Sequence, residues 1–219
     1  MGRGLWRSRE FLKFWGGQSL SLFGSQFTLL ALPIVAVVTL HATAADMGVL
    51  TALFYVAALL FGLVAGLLLD RVRRRPVMIV SQLVSAVALV TIPATDLLRA
   101  LSLPQLFVVS FITGAAATFT TAGQTSLLPA LVDREELVDA NAKYQTTSTL
   151  ASLFGPGLAG VAIQALTAPI VIVFDAASFL VGAASLALLG QVGAIDTATS
   201  ILTPPTGDRR RGRPAPPTG

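Results

Sequence analysis

Between residues 11 and 190 the chain consists of six apolar runs of 22 to 30 residues, separated by short polar breaks. At 1.5 Å per helical residue such a run reaches about 33 to 45 Å, enough to cross a hydrocarbon core of about 30 Å with tilt. Inside lipid every backbone N–H and C=O must be satisfied within its own segment, so runs of this length fold as helices. The spans expected are 11 to 40, 46 to 69, 76 to 97, 103 to 128, 138 to 164 and 168 to 190. An apolar content of 54% and a mean hydropathy of +0.77 place the chain with all-α membrane proteins.

The polar residues supply the topology. Arg3, Arg7, Arg9 and Lys13 precede or open the first run, Arg71, Arg73, Arg74 and Arg75 fill one turn, and Arg134 and the Arg209 to Arg213 cluster complete one side. The other side has only Arg99, so the positive-inside rule puts both termini in the cytoplasm and the protein in the cell membrane as a multi-pass chain. Ala42-Thr43-Ala44 mimics a signal-peptidase site, but the run before it is about twice as long as a signal core. The net charge of +4 marks the ends of apolar runs, which argues against a nucleic acid partner. Residues 1 to 10 are expected as a cytoplasmic start, 11 to 190 as the transmembrane domain, and 191 to 219 as a disordered, Pro- and Arg-rich cytoplasmic tail.

Several chemistries find no support. There is no Cys, and the single His41 has no partner His or Cys, so no metal site is expected. No phosphate-binding GxxxxGK[ST] occurs and no cofactor is expected. The lack of a nucleophile–base spacing or paired buried carboxylates argues against an enzyme.

The second run ends in GLLLDRVRRRPVM, residues 66 to 78, a charged turn that cannot sit in lipid. Ala58, Gly62, Gly66 and Asp70 recur every four residues, forming a small-residue stripe for a neighbouring helix with a carboxylate at its end. Gly66, Leu68, Asp70, Arg71, Arg74 and Arg75 together resemble the cytoplasmic loop motif between helices 2 and 3 of the major facilitator superfamily, with Arg73 where that motif usually has Gly. LWRSREFLKFWGGQSLSLFGSQFTLLALP, TSLLPALVDREELVDANA and FGPGLAG are similar to its enterobactin-exporter and macrolide-efflux branch. The resemblance covers residues 5 to 190 and matches only the amino-terminal six-helix half of a twelve-helix exporter.

The resemblance implies two inverted three-helix repeats, a solute bound near the membrane midplane between two halves, and proton-coupled efflux by alternating access. It implies a conformational-switch loop at Gly66, Asp70, Arg71, Arg74 and Arg75, and an exporter motif on helix 5 at Gly155, Pro156 and Gly160. Physically, Pro156 kinks its helix while Ala151, Gly155 and Ala159 offer a flat packing face, so an ordinary packing kink explains the same residues. Asp175 lies within the sixth run, where an ionisable residue is a functional candidate. It either carries the coupling proton or hydrogen-bonds a neighbouring helix.

Gln18, Ser21, Ser25 and Thr28 share one face of helix 1, and Ser110, Thr113, Thr121 and Gln124 follow a stripe on helix 4. In the superfamily those helices line the cavity, which makes Gln18, Ser21, Ser25, Thr113 and Gln124 the substrate contacts implied. Interhelical hydrogen bonding explains such side chains equally well. Asp133 and Glu136 have capping-box spacing ahead of helix 5, and Asp139 and Lys143 are spaced to pair.

Two readings of function follow. One is a secondary exporter of a lipophilic, drug-like or siderophore-like solute, in contact with lipid, solute and protons, and completed by a second half or a second copy. The other is a truncated or frameshifted half, or a membrane partner that transports nothing.

Overall fold

The computed structural model describes residues 9–69, 71–132 and 135–189. Asp70, Asp133, Arg134 and the tail from residue 190 therefore lie outside the described residues, as do the arginines ahead of Arg9. Six helices follow in order: α1 (Arg9–Ile34), α2 (Ala44–Leu69), α3 (Arg74–Leu97), α4 (Leu103–Leu131), α5 (Leu137–Leu166) and α6 (Ala168–Ala187). Each is long and apolar enough to cross a membrane. Pro33 removes a backbone donor near the end of α1, and the following turn, Val35–Thr39, widens into a π-helix.

The packing reveals the repeat. α1 packs on α5 and α6, α4 packs on α2 and α3, and α3 packs on α6 at the centre. Exchanging α1 with α4, α2 with α5 and α3 with α6 reproduces the same set of neighbours. An odd number of passes separates the members of each pair, so the two three-helix units are inverted relative to one another.

The helices approach closely because small residues line their seams. Gly17 of α1 faces Ser185 and Gly182 of α6, Ser21 and Gly24 face Ser178, and a Cβ at Gly182 would collide with Gln82 of α3. Gly114 of α4 lies against the backbone of Phe54 in α2. In lipid such contacts hold a bundle through dispersion and short hydrogen bonds, since apolar burial alone distinguishes little between a helix and an acyl chain.

The stripe expected on α2 does not pack. Gly62 and Gly66 face open space, while Ala57, Ala65 and Leu69 are buried and Phe61 stacks against Phe111 and Phe119 of α4. Leu59 and Leu63, 80% and 75% exposed, share the open side. Nor does α5 begin with the expected capping box: Glu136 occupies the N-cap position itself, without a side-chain cap. A reciprocal box does open α2, where Thr43 Oγ1 accepts from the Asp46 N–H at 3.3 Å and Asp46 Oδ2 accepts from the Thr43 N–H at 2.8 Å.

Two apolar clusters divide the bundle lengthwise. One gathers Leu32, Val35, Leu50, Leu89, Ile92, Leu106, Val171 and Ile172 at the end away from the arginine turn. The other gathers Phe11, Phe14, Met78, Leu128, Ala140 and Leu186 at the basic end.

Candidate functional site

Above the second cluster, α1, α4 and α5 diverge around a groove of about 770 Å³. Its walls combine Phe14, Leu22, Leu128, Val138 and Phe179 with hydroxyls and amides from Gln18, Ser21, Ser25, Thr120, Thr121, Gln124, Asn141, Tyr144, Gln145 and Ser148. The divergence has a packing cause. α4 and α5 each lean on other helices and barely touch one another, so α1 forms a floor between two walls.

Polar side chains cross that floor. Gln18 Oε1 accepts from Gln124 Nε2 at 2.7 Å and from Gln82 Nε2 at 3.2 Å, and the Tyr144 hydroxyl donates to Gln124 Oε1 at 2.5 Å. Four helices thus meet through one string of three amides and a phenol. Gln18 and Gln82 are 0% exposed, and each has one amide end without a partner, Nε2 of Gln18 and Oε1 of Gln82. Beside the string, Trp15 Nε1 donates to Thr147 Oγ1 at 3.2 Å, tying α1 to α5.

Asp175 sits elsewhere, in the α1–α6 seam. It is 1% exposed; Oδ1 accepts from the Ser178 hydroxyl at 3.2 Å, while Oδ2 has no hydrogen-bond partner. The Thr28 hydroxyl of α1 faces the same carboxyl without a well-aligned bond. Gly24 leaves room for Oδ1, because a Cβ there would strike both Asp175 and Ser178.

At the basic end, cations hold helix C-termini. Arg75 donates to the Ala187 carbonyl at 2.6 Å and Lys13 to the Leu188 carbonyl at 3.2 Å, so α3 and α1 grip the last turn of α6. Arg74 donates to the Ser126 carbonyl of α4 at 2.6 Å. Each cation satisfies a carbonyl near a helix end and meets the negative end of its dipole. Arg71 is exposed, and Gly66 faces open space.

Among the residues expected to touch a solute, Gln18, Ser21, Ser25 and Gln124 line the groove together. Thr113 does not: its hydroxyl turns back onto the Val109 and Ser110 carbonyls of its own helix, one turn beyond the groove. Ser110 bonds the Leu50 carbonyl of α2 at 2.8 Å, which makes it a packing contact. On α5, Ala151, Gly155 and Ala159 are buried, with Gly155 against Gln26 of α1, while Pro156 is exposed and Gly160 only grazes Leu30. Asp139 and Lys143 form their ion pair at the surface of α5. Tyr144 and Gln82 escaped the sequence reading. Tyr144 lies four residues before Ser148, both on the groove wall, a spacing that marks a polar face of α5.

No solved structure matches the chain. Among curated proteins it is 27% identical over 185 residues to the multidrug efflux pump Tap of Mycolicibacterium fortuitum, covering 82% of this chain and 45% of that one. It is 24% identical over 200 residues to macrolide efflux protein A of Streptococcus pyogenes, covering 91% and 46%, and 25% identical over 190 residues to the uncharacterized MFS-type transporter YfiS of Bacillus subtilis, covering 86% and 44%. The chain thus spans about half the length of the curated relatives it matches. The Major Facilitator Superfamily profile matches residues 14–216. With six helices long enough to span a membrane, packed as inverted repeats around a groove, this multi-pass membrane chain belongs to the major facilitator superfamily.

Proposed function

We propose that the chain forms the amino-terminal half of a secondary exporter, a transporter rather than an enzyme, which moves a lipophilic drug-like or siderophore-like solute out of the cell against inward proton flow. The groove supports this reading: α1, α4 and α5 line a partly open cavity of about 770 Å³ with apolar and uncharged polar side chains. A second half, or a second copy, supplies the opposite wall, and rocking between the two alternates access. The names of the Tap and macrolide relatives support efflux. The cytoplasmic side is the basic end, in the cell membrane.

Asp175 is the proton site in this proposal, since it is the one acid buried within the bundle among the described residues and no cation pairs with it. The grip of Arg74 and Arg75 on α4 and α6 makes the loop, with Asp70, Arg71 and Gly66, the switch that holds one conformation. The test is efflux of lipophilic dyes and macrolides from cells expressing this chain, with and without a protonophore. Protonophore-sensitive efflux is expected; its absence from correctly inserted protein overturns transport by this chain alone and favours a non-transporting membrane partner. Asp175→Asn should leave insertion intact and abolish proton movement in vesicles, and continued acidification on adding solute reduces Asp175 to packing. Asp70→Asn should slow efflux without lowering membrane content; unchanged efflux removes it from the switch.

A further inference from the structure

The groove offers hydrogen bonds and no charge. No Asp, Glu, Lys, Arg or His lines it among the described residues, and the buried Asp175 is walled off in the α1–α6 seam. The nearby cation on α5, Lys143, is engaged by Asp139. An ion entering this wall loses its hydration and meets nothing of opposite sign to replace it.

One hydrogen-bonding vacancy lies buried in the groove's wall. Gln18 lines the groove, is fully buried, and puts one end of its amide into the string with Gln82 and Gln124. The other end has no partner. That end is Nε2, a donor, and buried polar groups in folded proteins are rarely left so.

We propose, resting on the transport reading above, that this half selects uncharged amphipathic solutes carrying a carbonyl or hydroxyl group, which pairs with the free amide end of Gln18. The apolar body of the solute lies along Phe14, Leu22 and Phe179. Gln124 and Tyr144 from one side and Gln82 from behind are positioning residues that hold the Gln18 amide in register.

The test uses the full chain in lipid nanodiscs with two tritiated probes read by scintillation proximity. Corticosterone is uncharged and carries ketones and hydroxyls; tetraphenylphosphonium is a permanent cation with no hydrogen-bonding group. Saturable corticosterone binding with weaker or no cation binding is expected. Gln18→Leu should weaken corticosterone about 3- to 10-fold, the equivalent of one hydrogen bond. Gln18→Glu keeps the shape and the oxygen that Gln82 and Gln124 use, and should reverse the preference towards the cation. Tyr144→Phe should weaken corticosterone about threefold with no gain for the cation. A misfolded protein cannot move the two probes in opposite directions, so the ratio separates recognition from stability. Equal or tighter cation binding by the unaltered protein, or corticosterone binding indifferent to Gln18→Leu, overturns the proposal while leaving transport standing. Saturable binding of neither probe overturns the proposal, and efflux of the dye and macrolide panel then decides transport separately.

Discussion

At the end away from the arginines, Leu89, Ile92, Leu106, Val171 and Ile172 form an apolar cluster with the buried Ser110 and Asp175 beside it, whereas towards the basic end Gln18, Gln82, Gln124 and Tyr144 share the interior with Phe14 and Leu128. The same helices make both. What differs is how far α4 and α5 splay from α1: the far end is filled with side chains and the near end leaves a groove. A mainly apolar, close-packed cluster has one low-energy arrangement, because any shift opens voids or forces clashes. A string of amides and hydroxyls has several arrangements of similar energy, since each donor can exchange one acceptor for another. On the transport reading proposed above, rigidity belongs to one end and recognition to the other.

Breaking the seam that both ends share should have the largest effect. Gly182→Leu drives a side chain into Gln82 and Ser21, and is expected to cost at least 3 kcal/mol, roughly the upper range of overpacking, so that little folded protein survives detergent extraction. Recovery at normal yield would show that α1, α3 and α6 are not held as closely as described. Leu89→Ala acts on the rigid end alone. It should lower stability by about 2 kcal/mol in SDS titration through the cavity it leaves, while binding per folded molecule stays unchanged. Lost corticosterone binding in folded Leu89→Ala would erase the division of labour between the ends. The smallest effect belongs to the α5–α6 joint, where Thr167 has φ 110° and ψ 150°, a conformation unfavourable for a β-branched residue. Thr167→Gly should relieve about 1 kcal/mol of strain and raise the melting temperature by a few degrees without touching the groove.

Much of the architecture was legible in the residues and some of the site was not. The six runs announce helices because unbroken apolar runs of this length satisfy their backbones in lipid as helices, and Gln18, Ser21, Ser25 and Gln124 announce themselves as polar residues that lipid would reject. The misplacements share one cause. Within a membrane the lipid-facing and the packed sides of a helix are both apolar, so periodicity does not distinguish them. Hence Gly62 and Gly66, small and regularly spaced, face open space while Ala57 and Ala65, one residue before Ala58 and Gly66, are packed. Thr113 failed for a related reason, since a hydroxyl in a helix can always satisfy itself on its own backbone. Gln82 was missed because no polar residue one turn away from it lines the groove, and the Tyr144–Ser148 spacing marks a polar face without distinguishing one that meets a groove from one that meets a lipid headgroup.

The residues alone were enough for the number of apolar spans, the helical class and the end that bears the arginines, because hydrocarbon thickness and backbone hydrogen bonding leave a chain of this hydropathy little choice, while the repeat of three and three came from the family resemblance. Which face of α2 packs, the place of Asp175 in a seam apart from the groove, and the unpartnered amide end of Gln18 emerged from the packing of the helices. Those outcomes depend on how closely two helices approach. That distance is set by glycines and serines on both partners at once, a pairing that a linear order of residues does not contain.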